Sequence, residues 1–227
     1  MKYFNDFFNK IKYEDDFGYH SYWNIEIDKW LGCLYEIDRD FYNKSRKRVV
    51  RPFQRDEFLG EVKALYFINE KMGNTILKME PLGSSEHKLD FSFTDKESRQ
   101  WVVEVKTNSW LKDIWQNKQL SDEEKLDRAK LPQYINGEVQ SFSFIDDLKA
   151  SVDKALFQFE RGQNNLLIIF PSDSGKFATI PLLNSRIIKT IQLLDPLKII
   201  SAVCFLDIIY PCIKNKVVYN QLTIYNK

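Results

Sequence analysis

Asp90, Glu104 and Lys106 are the residues whose types and spacing best fit chemistry. Lys88-Leu-Asp-Phe-Ser-Phe and Val102-Val-Glu-Val-Lys-Thr alternate polar and apolar residues, which is the period-2 pattern of half-buried strands. In the first strand Leu89, Phe91 and Phe93 are expected on one face, with Lys88, Asp90 and Ser92 on the other. In the second, Val102, Glu104 and Lys106 share a face, and the polar stretch from Asp95 to Gln100 supplies the turn between the strands. A hairpin symmetric about Glu97 sets Asp90 opposite Glu104, each seven residues from the centre. Directly opposed side chains have Cβ atoms roughly 4.5–5.5 Å apart, and like charges in that relation destabilise a sheet. A divalent cation between the two carboxylates removes the conflict. Mg²⁺ takes oxygen ligands in octahedral geometry and commonly uses one or two carboxylates with water and phosphate oxygens. Lys106, on the same face, is placed to orient or deprotonate a water and to offset charge on a phosphate. The triplet fits metal-assisted hydrolysis. Taken alone, Glu104-x-Lys106 is also the pattern of a solvated, ion-paired strand face; Asp90 in register and the apolar strands favour the metal site.

The elements that must position these groups follow from periodicity. Helices are predicted over 3–12, 22–43 and 56–72, the last ending at Gly73, with Pro52 terminating any helix that reaches it. Within 56–72, Glu61 lies on the stripe of Phe58, Leu65 and Ile68, where a charged residue is uncommon unless paired or coordinated. It is a candidate for holding a metal-bound water or a second ion. Strands over 74–80, 88–94 and 101–107 make an antiparallel meander, followed by a long loop over 108–142 that contains Trp110 and Trp115. An amphipathic helix covers Phe144 to Arg161, and the continuous apolar run Leu166 to Phe170 reads as a strand buried on both faces. A helix over 183–194 and strands over 198–206 and 217–225 complete a mixed sheet with helices on its faces, an α/β chain of the α+β kind. Residues 1–55 are expected as a helical extension and 56–227 as the main domain.

Charge and composition narrow the classes of function. The net charge is +1, so the chain is no uniformly basic nucleic-acid coat, yet residues 44–55 hold Lys44, Arg46, Lys47, Arg48, Arg51 and Arg55 without one acid. Beside a phosphodiester site that run is expected to contact a nucleic-acid backbone. Two histidines and eight glycines argue against a histidine cluster or a glycine-rich phosphate cradle, and His87 reads as a strand-start residue. No G-x-x-x-x-G-K-S/T occurs, so an ATP-driven step would need a partner. Cys33, Cys204 and Cys212 form no C-x-x-C pair, which points to buried thiols in a reducing cytoplasm. Apolar runs such as Leu166 to Phe170 are far too short to span a bilayer.

A helix bearing Glu61, Asp90 on a strand, Glu104-Val105-Lys106 on the next, then a helix and a buried strand, together resemble the PD-(D/E)XK nuclease superfamily, the restriction-endonuclease-like fold. The resemblance covers about residues 56–171, and the leading proline of the motif is replaced by Leu89. It implies that Asp90, Glu104 and the Val105 carbonyl bind Mg²⁺, with Mn²⁺ as an alternative ion, and that Lys106 assists the attacking water. Gln158, ahead of Lys154, matches the polar residue that reaches the site from the following helix. The implied activity is a metal-dependent endonuclease cutting DNA, with RNA as the other substrate, of a kind frequent in bacterial restriction and phage-defence loci. A homodimer, a partner ATPase and a catalytically inactive module that binds nucleic acid or protein are the other arrangements the resemblance allows.

Overall fold

The computed structural model describes residues 1–8, 21–50, 52–84, 87–107, 144–170, 184–206, 212–213, 216–217 and 221–225. Three helices open the chain: α1 (Lys2–Phe8), α2 (Ser21–Ile37) and α3 (Arg39–Ser45). The predicted single helix over 22–43 is broken at Asp38, which adopts an extended conformation (φ −147°) while its carboxylate accepts the N–H of Phe41 at 2.8 Å. That is an N-cap, and it restarts the helix in a new direction. A 3₁₀ turn, Arg46–Val49, follows. Pro52 begins α4 (Pro52–Tyr66) instead of ending a helix: in the first turn its missing N–H has no acceptor to satisfy and its fixed φ suits the helix. The expected division at 55/56 therefore falls inside α4. The helix runs on as a π turn, Phe67–Lys71, and leaves through Gly73 at φ +68°.

The strands are β1 (Thr75–Met79), β2 (Phe91–Thr94), β3 (Gln100–Thr107), β4 (Asn164–Phe170), β5 (Ala202–Leu206), the short β6 (Cys212–Ile213) and β7 (Lys216–Val217), and β8 (Gln221–Tyr225). Two further helices are α5 (Phe144–Gln158) and α6 (Asn184–Leu194). Six strands form one mixed sheet in the order β1-β2-β3-β4-β5-β8, while β6 and β7 pair with each other. The first three are an antiparallel meander, β3, β4 and β5 run parallel, and β8 closes the edge antiparallel. This is the expected mixed sheet with flanking helices.

Each face of the sheet is covered by helices chosen by strand parity. Trp30 and Leu34 of α2 and Phe58, Val62 and Leu65 of α4 pack with Phe91, Phe93, Val103 and Val105. On the other face Leu148, Val152 and Ala155 of α5 and Ile187 and Ile191 of α6 pack with Leu167, Ile169, Val203 and Phe205. Strand β4 is buried on both faces, as its continuous apolar run predicts. Leu89 departs from its predicted face: it belongs to the α5 cluster, whereas Phe91 and Phe93 belong to the α4 cluster. The pleat breaks between them, at Asp90. Among the described residues no helix is long and apolar enough to cross a membrane.

Candidate functional site

The hairpin sets the spacing of the triplet. Its register pairs Phe91 with Val103, Ser92 with Val102, Phe93 with Trp101 and Thr94 with Gln100, which is the predicted symmetry about Glu97. Asp95 fixes the turn: its carboxylate accepts the N–H groups of Glu97 and Arg99 at 3.0 and 2.9 Å and the indole N–H of Trp101 at 2.8 Å. Continuing the register by one residue brings Asp90 to Glu104. There the strand is irregular, for the Asp90 N–H donates to the Val103 carbonyl at 3.0 Å and its Oδ2 accepts the Val105 N–H at 2.6 Å. The side chain takes the place of a ladder carbonyl, and the Asp90 carboxylate is thereby tied to the strand that carries Glu104 and Lys106.

Glu104 is buried and ion-paired with Lys106, whose Nζ also donates to Gln158 Oε1 at 2.7 Å. Gln158 is the last residue of α5, so the structure brings it to the predicted site. Glu104 Oε2 is buried with no hydrogen-bond partner among the described residues. Glu61 arrives from α4, buried as its stripe position predicts. The approach depends on Gly60, where a Cβ would lie 2.4 Å from Thr107 Oγ1. A glycine lets the helix cross the end of β3 closely, one residue from Glu61 and one from Lys106.

Glu61 has a partner that its position on α4 does not reveal. Arg48 Nη1 and Nη2 donate to Glu61 Oε2 and Oε1, both at 2.5 Å, a bidentate fork. The remaining basic residues separate. Arg46 turns toward α1, 3.5 Å from Asp6 and over the Tyr42 ring, while Lys44 and Lys47 are exposed. Arg55 is buried with its Nε 3.8 Å from Asp56. Arg51, Trp110 and Trp115 lie outside the described residues. Lys47 and Arg48 line an open cleft of about 510 Å³ with Val50, Gln54 and Glu57.

The site is short of positive charge. Burial pushes the Asp90 carboxyl well above the ordinary range, and repulsion from Glu61 and Glu104 pushes it the same way, against the Val105 N–H and Lys106. Burial also raises Glu104 against the pull of Lys106, and raises Glu61 against that of Arg48. Among the described residues no group of three or more His, Cys, Asp or Glu side chains is placed to hold a metal ion. The residues that could hold an ion keeping several waters are fewer: Asp90, Glu104, one of whose oxygens has no partner among the described residues, and the Val105 carbonyl.

Lys63 is a further buried charge that the sequence reading missed. Its ammonium lies 5.8 Å from the centre of the Trp30 ring and 5.6 Å from that of Phe170.

No family model matches the chain, and no curated protein matches it. Among solved structures, Pyrococcus furiosus SfsA in complex with Ca²⁺ is similar at 15% identity and a TM-score of 0.29. The alignment spans 71% of this chain and 61% of SfsA, less than two thirds of that protein.

Proposed function

We propose that the protein is a Mg²⁺-dependent nuclease of the PD-(D/E)XK type that hydrolyses phosphodiester bonds in DNA. One observation carries the reading: Asp90, tied to the Val105 N–H, lies where the hairpin register leads to Glu104, and a buried oxygen of Glu104 has no hydrogen-bond partner among the described residues. A buried Glu104 carboxylate beside the half-buried one of Asp90 is costly unless a cation joins them. Bound there, Mg²⁺ would polarise the scissile phosphate and lower the pKa of a water.

The chain's own residues supply the rest. Glu104 and Gln158 hold the Lys106 ammonium, using two of its three donors and leaving one for the attacking water or a phosphate oxygen. The Val105 N–H fixes one Asp90 oxygen, leaving Oδ1 for the ion. Incubating the purified protein with linear DNA, circular DNA and RNA, in Mg²⁺, Mn²⁺ or EDTA, tests the proposal. Cleavage that needs the ion and disappears in Asp90→Ala and Lys106→Ala is expected; ion-dependent cleavage unchanged in both would refute it.

The direct Lys106–Glu104 ion pair favours a second reading, an inactive nuclease-fold module that keeps the triplet as a structural salt bridge. The two readings part on metal binding. Mg²⁺ should raise the thermal midpoint of the wild type and not that of Glu104→Gln if the site binds the ion, and neither if it does not.

A further inference from the structure

We propose that the cleft lined by Lys47, Arg48 and Gln54 is a second phosphate site, holding the nucleic-acid backbone beside the scissile bond, with Glu61 as the residue that positions Arg48. The proposal rests on the nuclease reading and adds to it a binding site outside the Asp90–Glu104–Lys106 triplet.

The 3₁₀ turn Arg46–Val49 sorts its residues by direction. Val49 is buried and anchors the turn, Arg46 faces Asp6, and Lys47 and Arg48 face the cleft. Arg48 is held at two points. Its guanidinium forks onto both oxygens of Glu61 and lies 5.2 Å from the centre of the Phe58 ring. A guanidinium has five N–H donors in a fixed plane, and Glu61 takes two. The other three are set in an orientation that the buried Glu61 carboxylate holds, and a planar donor array of that kind matches the oxygens of a phosphate. Lys47 adds a second, exposed charge and Gln54 an amide donor. Glu57 lies on the same cleft, which sets a limit: the site suits one phosphate held by two cations, not a run of several.

The position beside the triplet follows from the charges. Asp90 is near enough for its charge to act on Arg48, so the cleft lies on the Asp90 side of the triplet. A backbone passing from the cleft to Lys106 would be gripped on one side of the bond to be cut. In this arrangement Glu61 acts through Arg48 and need not ligate an ion.

Binding without cleavage tests this. Fluorescence anisotropy of a labelled DNA duplex of about 20 base pairs, and of the matching RNA, is measured in EDTA from about 50 to 200 mM salt. Lys47→Gln, an exposed substitution that does not threaten the fold, is expected to raise Kd about five- to tenfold and to lower the salt slope by about one. Arg48→Lys keeps the charge but loses the fork, and is expected to weaken binding with the slope retained. Glu61→Gln is the sharper case. Removing a negative charge would by itself tighten binding to a polyanion, whereas loss of positioning weakens it. Wild-type affinity in both Lys47→Gln and Arg48→Lys, or tighter binding by Glu61→Gln, overturns the second site while leaving the nuclease reading intact. A wild-type protein that neither binds nor cuts DNA or RNA removes both.

Discussion

Asp90 and Val105 are joined across the hairpin by a 2.6 Å hydrogen bond from the backbone N–H to Oδ2. The bond fixes the carboxylate while burial, and after it Glu61 and Glu104, raise its affinity for a proton. The geometry proposed for a cation would thus carry a cost in stability without it. Asp90→Asn keeps an acceptor for Val105 and removes the repulsion. The metal-free variant is expected to be more stable than wild type by ~1 kcal/mol, a rise of ~2–4 °C in thermal midpoint for a chain of this size. On the proposed nuclease reading, DNA cleavage should fall at least ~100-fold, because a neutral amide is a poor ligand for Mg²⁺. Calorimetry beside a cleavage assay checks both.

The same three carboxyls give the metal-free protein an unusual response to pH. Each has a folded pKa above its unfolded value. The folded state therefore binds more protons than the unfolded state between those values. The stability linked to these groups is fully present below the unfolded values and is lost as pH rises through the folded ones. Thermal midpoints in EDTA should fall with rising pH across that window, and saturating Mg²⁺ should flatten the fall. A profile unchanged by Mg²⁺ would count against ion binding at the carboxylates.

Asp95 moves the other way. Burial opposes its charge, but hydrogen bonds from Trp101 and Arg99 bring its carboxyl down to about 2. Its contribution is present above the unfolded value and is lost as pH falls through about 2. Asp95→Asn should lower the thermal midpoint at neutral pH, with the gap to wild type closing as pH falls toward the lower limit. Because Asp95 sets the turn, cleavage should also weaken while the thermal unfolding remains cooperative.

Gly60 and Thr107 set how closely α4 approaches the end of β3. Gly60→Ala should cost ~1–3 kcal/mol and reduce activity, since the new methyl pushes the helix and Glu61 outward. Thr107→Ala removes the obstructing oxygen, so the double variant should recover much of the loss. A coupling near zero in the double-mutant cycle would show that the crossing does not set the site's dimensions.

The local parts of this arrangement were legible in the sequence, and the long-range ones were not. Period-2 alternation and a polar turn were enough for the β2–β3 register, because a short hairpin leaves few alternatives. The face of Leu89 was not legible, since parity assumes an unbroken pleat and the pleat breaks at Asp90. Asp38 and Pro52 both sit at helix starts: one falls inside a continuous apolar period, and the other is a residue that ends helices in most contexts. Glu61 showed as a charge on an apolar stripe, but its partner Arg48 stands thirteen residues away on a different element, the 3₁₀ turn before α4. Gln158 was reachable only through the order of elements in a known family, because nothing in its own helix marks it.

Asp90, Glu104 and Lys106 all belong to one hairpin, closed by the turn that starts at Asp95. A hairpin of this kind can close in ~1–10 μs, whereas α4 and α5 dock through contacts between distant parts of the chain. Before they dock, the two carboxylates are at the right spacing but hydrated, and they titrate as ordinary acids. Docking strips their water and delivers Arg48 and Gln158. In refolding, affinity for a divalent ion should therefore appear with the slow burial of aromatic side chains, after the hairpin has formed. Folding would give the site its spacing first and its raised proton affinity second.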